Sequence, residues 1–270
     1  MAFDINNFVI NRPLRGSMFN QTTGELLWTV NQITDPSLSV TSEKATAVDA
    51  LGSPIMEFNR AKTAEFSASN SLFDLGLLAA QSGTTKTSST ASVTYSVPIW
   101  ETFTVPSSGT TVTLAHTPAE AAADGIPYIY KITGDGQVSA KFAYAATAAA
   151  DKFSFSGTTL TFATGLTAGD KFIVYYEYEA TGTSGSQAVK VTNSAVNFPA
   201  AGKFVMEVLG CNVCDITEEY HAFVIFPAAK LSSDFDITFN TEGTHPFTIS
   251  AFQEYCDTAK TLFSIIVPEA

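Results

Sequence analysis

The chain has 270 residues, of which 45% are hydrophobic and only 15% are charged, and its formal net charge is −12. A chain of this length can bury a large core, and so few charges suit a subunit whose surface is covered by neighbours. The acidic balance argues against a nucleic-acid grip, which needs Lys and Arg to displace phosphate counterions.

The number of cysteines and the length of the apolar runs limit the cellular compartments in which the protein could be found. The three cysteines, Cys211, Cys214 and Cys256, are too few and odd in number for a secreted disulfide framework. No apolar run approaches the roughly 18 residues of a membrane span, and the amino-terminal residues lack the apolar core of a cleavable leader. We therefore expect a soluble protein that is made in a cytoplasm and has no membrane contact.

The first predicted element is an amino-terminal arm, residues 1–36, with one or two short strands and enough length to cross to a neighbouring subunit. A long hairpin follows, with strands Ser39–Ala50 and Ile55–Ser69 on either side of the turn Leu51–Pro54. Its second strand would span on the order of 45 Å, whereas a usual strand spans roughly 17–20 Å. A hairpin that long needs support from outside its own domain.

Side chains alternate along this second strand. The pattern predicts a buried face with Met56, Phe58, Ala64, Phe66 and Ala68, and a wet face with Glu57, Asn59, Thr63, Glu65, Ser67 and Ser69. Arg60 and Lys62 interrupt the apolar face. Either they pair with Glu43 or Asp49 of the partner strand, or they mark where this face leaves the core and meets another subunit.

A short helix is predicted directly after the hairpin. Ser69 or Asn70 supplies the amino-terminal cap, and Gly83 ends the helix. We expect the helix to be packed on most sides, because its apolar positions exceed one stripe: Leu72, Phe73, Leu75, Leu77, Leu78 and Ala79. The Ser- and Thr-rich segment 81–94 is predicted to be a mobile loop or a domain boundary.

The middle of the chain predicts a separate β-sandwich, because seven short apolar runs with turn residues between them lie from Trp100 to Ala180. Strands return from Gly202 and include a hairpin of Asp234–Asn240 with Phe247–Tyr255. We therefore expect a mainly β protein with two domains. Residues 1–96 and 181–270 form one discontinuous domain, and residues 97–180 form an inserted Ig-like β-sandwich.

No catalytic, cofactor or metal constellation stands out, and we predict that the protein is not an enzyme. Cys211 and Cys214 have the spacing of half a zinc site, but no second pair follows at a defined distance. The turns at 124–125 and 134–137 lack the repeated acids of a calcium loop, so we interpret them as tight turns. The other titratable candidates are interpreted as structural or solvated side chains: His116, His221, His245, Glu218, Glu219, Asp234 and Asp236.

One alternative class is a carbohydrate-binding adhesin, in which aromatic residues of the middle segment form a stacking platform: Tyr128, Tyr130, Tyr175, Tyr176 and Tyr178. Tyr176 and Tyr178 share a strand face. Alternating aromatics more often fill a sandwich core, however.

The order of parts resembles the major tail tube protein of long-tailed bacteriophages. The resemblance rests on the long hairpin (SEKATAVDALGSPIMEFNRAKTAEFSAS), the capped helix (NSLFDLGLLAAQSG) and the closing segment (TFNTEGTHPFTISAFQEYCDTAKTLFSIIVP). The middle segment is similar to the Ig-like additions of phage structural proteins. A rival within the same class is a capsid decoration or head–tail connector protein.

The resemblance implies a tail-tube-type β-sandwich or barrel with one flanking helix. It implies stacked hexameric rings in the virion tail, assembled in the host cytoplasm with other tail proteins. Hairpins of neighbouring subunits would form an inner β-barrel through which DNA passes without specific contacts. In such a tube we expect Glu57, Asn59, Thr63 and Glu65 to face the lumen. The residues expected at subunit contacts are Arg60, Lys62, Phe66, Gln81 and Lys86.

Overall fold

The computed structural model describes residues 7–183, 185–213, 215–253 and 258–268, and the fold is mainly β as predicted. Its elements in chain order are β1 (Phe8–Phe19), β2 (Leu26–Val30), β3 (Ile33–Val48), β4 (Pro54–Asn70), α1 (Leu75–Gln81), β5 (Thr87–Ser88), β6 (Tyr95–Thr104), β7 (Thr111–Thr113), α2 (Ala122–Gly125), β8 (Tyr128–Ile132), β9 (Val138–Tyr144), β10 (Lys152–Ser156), β11 (Thr159–Thr161), β12 (Lys171–Ala180), β13 (Val189–Lys190), β14 (Ala201–Asn212), β15 (Asp215–Leu231), β16 (His245–Ala251) and β17 (Ser264–Ile266).

The chain divides into two compact units. Unit 1 comprises Met1–Lys86 and Val191–Ala270, and unit 2 comprises Thr87–Lys190. Each unit has its own hydrophobic core.

Unit 1 is an eight-stranded sheet in the order β2-β1-β14-β15-β16-β4-β3, with β17 paired to β15. The sheet curls around one core, because strands that are far apart in this order meet across it. A Cβ on Gly16 of β1 would lie 3.4 Å from the Ile33 side chain of β3 and 3.2 Å from Phe204 of β14. Glycine at this position therefore lets the curled sheet close on its core.

The amino-terminal residues form part of this sheet rather than an arm. Strand β1 pairs with β14 along its length, from Phe8 opposite Asn212 to Phe19 opposite Lys203, and with β2 on its other edge. Met18 of β1 and Trp28 of β2 are buried in the core. Two strands are present in this region, as predicted, but its interpretation as an arm is wrong, because these side chains are used inside unit 1.

Helix α1 begins later than predicted. The carboxylate of Asp74, not Ser69 or Asn70, caps it by accepting hydrogen bonds from the backbone of Gly76 and Leu77. Asn70 still belongs to β4, where it lies between His245 and Ile33. Gly83 follows the helix with a φ of +63°, as expected for a helix end.

The predicted hairpin of Asp234–Asn240 with Phe247–Tyr255 is wrong. Residues 229–231 of β15 pair with residues 249–251 of β16, β4 occupies the other edge of β16, and residues 234–240 form no strand. Tyr255 lies outside the described residues.

Unit 2 holds seven strands in the order β6-β12-β8-β9-β10-β11-β7, besides the short pair β5–β13. All seven surround one core, which includes Ile129, Phe153, Leu160, Phe172 and Val174. A short parallel contact between β9 and β10 joins the two antiparallel halves of this path, β6-β12-β8-β9 and β10-β11-β7. The hydroxyl of Tyr176 donates to Glu101 and accepts from the backbone of His116, which ties β12 to the segment after β7.

Candidate assembly surface

The outer half of the β3–β4 hairpin lies outside the core of unit 1. From Ala64 to Asn70, β4 alternates between buried and more exposed residues, whereas every residue from Pro54 to Thr63 is exposed. At about 3.3 Å per residue, this exposed stretch is on the order of 30 Å long. We call residues 40–63 the projecting hairpin.

Both long edges of the projecting hairpin are open within the described part of the chain. Strand β3 is the last strand of the sheet, and β16 accompanies β4 only between Glu65 and Asn70. A two-stranded ribbon without further strands is at best marginally stable in water. Open edges of this kind are templates for pairing with another chain.

A β-bulge divides the projecting hairpin. Ser42 lies opposite Lys62, but two residues further along β3, Lys44 lies opposite Asn59. One residue of β3 thus faces two of β4, Arg60 and Ala61. An extra residue moves the following side chains of β4 to the other face.

The bulge separates the residues that were expected to face a lumen. We call the side of Phe66 the core face and the opposite side the outer face. Thr63 and Glu65 lie on the outer face, whereas Glu57 and Asn59 lie on the core face. The expected single row of four wet side chains is therefore wrong.

Two contacts support this assignment of faces. The hydroxyls of Thr41 and Thr63 are 2.7 Å apart, as expected for directly opposed residues on the outer face. Lys44 Nζ lies 2.6 Å from Glu57 Oε1 on the core face, where the two residues are diagonal neighbours.

The apolar side chains also change face at the bulge. Ala64, Phe66 and Ala68 are buried on the core face, as predicted, but Met56 and Phe58 lie on the outer face and are 56% and 52% exposed. Their predicted burial is wrong. The outer half of the hairpin thus presents an apolar outer face with no cover from the described residues.

Arg60 and Lys62 make no ion pair among the described residues. Neither of the predicted partners serves them, because Asp49 accepts from the turn amides of Leu51 and Ser53, and the described part of the chain shows no ion pair of Glu43. Both cations are exposed at the bulge. They were the sequence signal for the bulge, since two charges on a supposedly buried face indicate that the face changes there.

The residues expected at subunit contacts are not all on the surface. Arg60, Lys62 and Lys86 are exposed, but Phe66 is 4% exposed and Gln81 is 1% exposed. Phe66 packs against Phe204 in the core, with ring centroids 5.4 Å apart. Phe66 and Gln81 therefore stabilise unit 1 itself and offer no contact surface.

Gln81 joins the end of α1 to β16 through a buried polar contact. His245 Nε2 lies 2.7 Å from Gln81 Oε1, and Gln81 Nε2 donates to the carbonyl of Pro246 at 2.9 Å. Burial lowers the pKa of His245, although the carboxylate of Asp74 opposes this shift. Since Gln81 Oε1 accepts from Nε2, the buried Nδ1 of His245 carries no proton, and it has no partner among the described residues.

Three of the other titratable candidates have structural partners: His221 pairs with Glu207, His116 stacks on Tyr178, and Glu218 accepts from the Tyr220 hydroxyl. Glu219, Asp234 and Asp236 are exposed. Glu207 accepts from Arg15 and His221, at 2.5 and 2.7 Å, on the sheet face opposite the core. The segment around Gly136 is a hydrogen-bonded turn, as predicted. The described residues contain no group of three or more His, Cys, Asp or Glu side chains that could hold a metal ion. Cys214 and Cys256 lie outside the described residues.

Neither α1 nor α2, the helices of the described ranges, is long and apolar enough to cross a membrane.

Across the described ranges, the open edges of the projecting hairpin and its exposed apolar face define a β-rich protein with a surface suited to strand pairing. The chain belongs to the YomU/Tube protein family, which matches residues 9–266. Membership of this family makes the chain a phage tube-like protein. Comparison with curated proteins finds no match.

Proposed function

We propose that this chain is the tail tube subunit of a long-tailed phage and assembles itself into stacked hexameric rings that conduct DNA during ejection. The projecting hairpin carries the proposal, because it offers a long β-ribbon with two open edges. Pairing with the hairpins of neighbouring copies would close these edges into a continuous barrel. Residues 1–96 and 181–270 would build the tube and residues 97–180 an Ig-like addition, in a virion tail assembled with other tail proteins in the host cytoplasm.

Charge supports contact between copies through this hairpin. The projecting hairpin holds three acids and three bases, so the net charge of −12 lies on the rest of the chain. Copies with the same charge repel one another. Arg60 and Lys62 are free to meet the acidic surface of a neighbour, which reduces that repulsion where the hairpin docks.

The two faces of the hairpin suggest which side chains meet the lumen. Near the core, the core face is covered by unit 1, which leaves Thr63 and Glu65 wet. Beyond the bulge, the apolar outer face requires cover from a neighbouring copy, which leaves Glu57 and Asn59 wet. In this arrangement the ribbon turns over at the bulge, and all four polar residues line a neutral to acidic lumen that does not hold DNA.

Negative-stain electron microscopy of the purified protein tests the proposal. We expect hollow tubes or six-fold rings from the natural chain. Phe58→Asp should abolish them without unfolding the subunit, because Phe58 contributes nothing to the core. Val138→Asp, at an equally exposed apolar position of unit 2, should leave assembly unchanged. Trimers or monomers alone would instead indicate a decoration or connector protein.

Thiol labelling of assembled tubes tests the lumen assignment. In a background with the native cysteines replaced by serine, Glu57→Cys and Glu65→Cys should react with a small thiol reagent but not with one too large to enter the tube. Phe58→Cys should be protected from both reagents. Equal labelling of residues 57 and 58 would contradict the turned-over ribbon.

A further inference from the structure

A row of aromatic side chains crosses three neighbouring strands of unit 2. Trp100 of β6 lies directly opposite Tyr175 of β12, with ring centroids 4.7 Å apart and a tilt of 49°. Strand β8 follows on the other side of β12, with Val174 opposite Ile129. Continuing this antiparallel register by one residue places Tyr128 opposite Tyr175. The row spans about 10 Å, two strand spacings.

The row lies on the face away from the core. Val174 and Ile129 are fully buried, so their sequence neighbours Tyr175 and Tyr128 point to the other side of the sheet. Trp100 is 62% exposed and Tyr128 is 40% exposed. Tryptophan is on average a well-buried residue, and an exposed tryptophan beside two tyrosines marks a recognition surface.

Charged and hydroxyl groups frame the aromatic row. Glu177 accepts hydrogen bonds from the hydroxyls of Ser96 and Tyr175, which lower the pKa of this carboxyl group. On the other side, Lys141 Nζ lies 4.5 Å from the centroid of the Tyr128 ring. These contacts hold the two phenol rings in place before any ligand arrives, which reduces the entropy lost on binding.

We propose that this row binds an oligosaccharide of β-linked pyranoses with equatorial hydroxyl groups. The flat faces of such rings present C–H groups that pack on aromatic faces. Their hydroxyl edges would donate to Glu177 and accept from Lys141. The border of the row is mixed, with Pro98, Ile173 and Tyr130 beside Thr102, Glu177 and Lys141. The polar members of this border can meet the hydroxyl edges of a sugar, which a purely apolar partner would leave unpaired. The site lies within unit 2 and does not depend on tube assembly.

Tryptophan fluorescence of the full chain tests the site directly. The chain has two tryptophans, and Trp28 is buried in unit 1, so acrylamide quenching reports mainly on Trp100. Cellohexaose and chitohexaose are the probes, and maltohexaose, whose α-linked chain coils away from a flat surface, is the control. We expect at least one probe at up to about 10 mM to protect Trp100, with maltohexaose inactive.

Variants separate a built site from incidental stacking. Binding followed by titration calorimetry should weaken about tenfold or more with Trp100→Ala and with Tyr128→Ala. It should be unchanged with Phe239→Ala, an exposed aromatic residue of unit 1. The proposal fails if neither probe protects Trp100, or if Trp100→Ala binds as well as the natural chain. It also fails if Trp100 is already protected without sugar and Trp100→Ala blocks self-association, which would make the row a contact between copies.

Discussion

Phe58 and Phe66 point to opposite faces of strand β4, because the bulge at Arg60 and Ala61 lies between them. Phe66 is buried beside Phe204, whereas Phe58 is half exposed. Strand β4 thus contributes one phenylalanine to the core of its own unit, and its other phenylalanine is available for contact with another molecule.

The two phenylalanines should respond differently to truncation. Phe66→Ala removes a buried ring and should lower the free energy of unfolding by about 3–5 kcal/mol. Phe58→Ala should change it by no more than about 0.5 kcal/mol. Urea unfolding of the unassembled protein measures both values. A large loss of stability with Phe58→Ala would show that the projecting hairpin is covered in the single chain.

Inserting an alanine after Glu43 should remove the bulge, because β3 would then hold two residues opposite Arg60 and Ala61. Regular pairing would then carry Met56 and Phe58 to the core face, where the neighbouring copy is not expected. We predict a folded subunit that no longer assembles, as measured by sedimentation and electron microscopy. Ala61→Ser keeps the bulge and should assemble normally. Tubes of natural appearance from the insertion variant would refute the assigned role of the bulge.

His245 should make unit 1 sensitive to acid. Its pKa is lowered by burial in the folded chain, while the unfolded chain titrates near its ordinary value of about 6.5. The unfolded state therefore binds more protons below that pH, and the free energy of unfolding should fall as the pH drops through and below about 6.5. Protonation would also place a buried N–H at Nδ1 without an acceptor among the described residues.

Urea midpoints between pH 5 and 8 measure this dependence. His245→Gln should flatten the curve, at some cost in stability at neutral pH. An unchanged slope in His245→Gln would assign the acid sensitivity to other groups.

Gly83 and Gly52 form a matched pair for testing close approach of the backbone. Both have positive φ, +63° and +85°, but a Cβ on Gly83 would overlap the backbone of Phe198, whereas a Cβ on Gly52 meets nothing within 4 Å. Gly52→Ala should cost about 1–2 kcal/mol from backbone strain alone. Gly83→Ala should cost about 1–3 kcal/mol more, measured by thermal or urea unfolding. If both substitutions lowered the free energy of unfolding equally, segment 196–200 would be able to move away from residue 83 without loss of stability.

Reversing the charge of the proposed lumen should slow DNA passage. Glu57→Lys combined with Glu65→Lys leaves the core untouched and should permit assembly, but ejection from complete particles should slow at low salt, because the new cations attract phosphates. The delay should disappear as salt is raised. Ejection at the natural rate would show that these side chains do not face the DNA.

Residue patterns predicted the fold class and the long hairpin, because apolar and polar residues alternate from Ala64 to Ala68 as they do in a strand with one buried face. They could not place the bulge, since an extra residue leaves no mark in side-chain type beyond the charges of Arg60 and Lys62. They also placed the helix start too early. The apolar residues Leu72 and Phe73 are typical of a helix, but Asn70 still pairs in the sheet, and the chain then bends at residues 71–72 before the helix is capped at Asp74.

The sequence likewise does not show which strand edges are free to pair. Phe235, Ile237 and Phe239 alternate as a strand should, yet residues 229–231 of β15 are the ones that pair with β16. The aromatic residues of unit 2 show the same limit. Alternation placed Tyr176 and Tyr178 on one face, but only the strand order reveals that Tyr176 is buried in the core and that Tyr175 aligns with Trp100.

The pairing of β3 with β4 is interrupted at three places, near Asp35, Glu43 and Val48. Another strand could pair with a regular strand edge equally well after a register shift of two residues, because such a shift keeps each side chain on its original face. An edge with unevenly spaced irregularities matches a second strand in only one alignment. In a polymer that grows along this edge, every added copy would therefore bind in the same strand register. The shape of the edge would then set the axial position of each subunit, and no later shift of register would be needed.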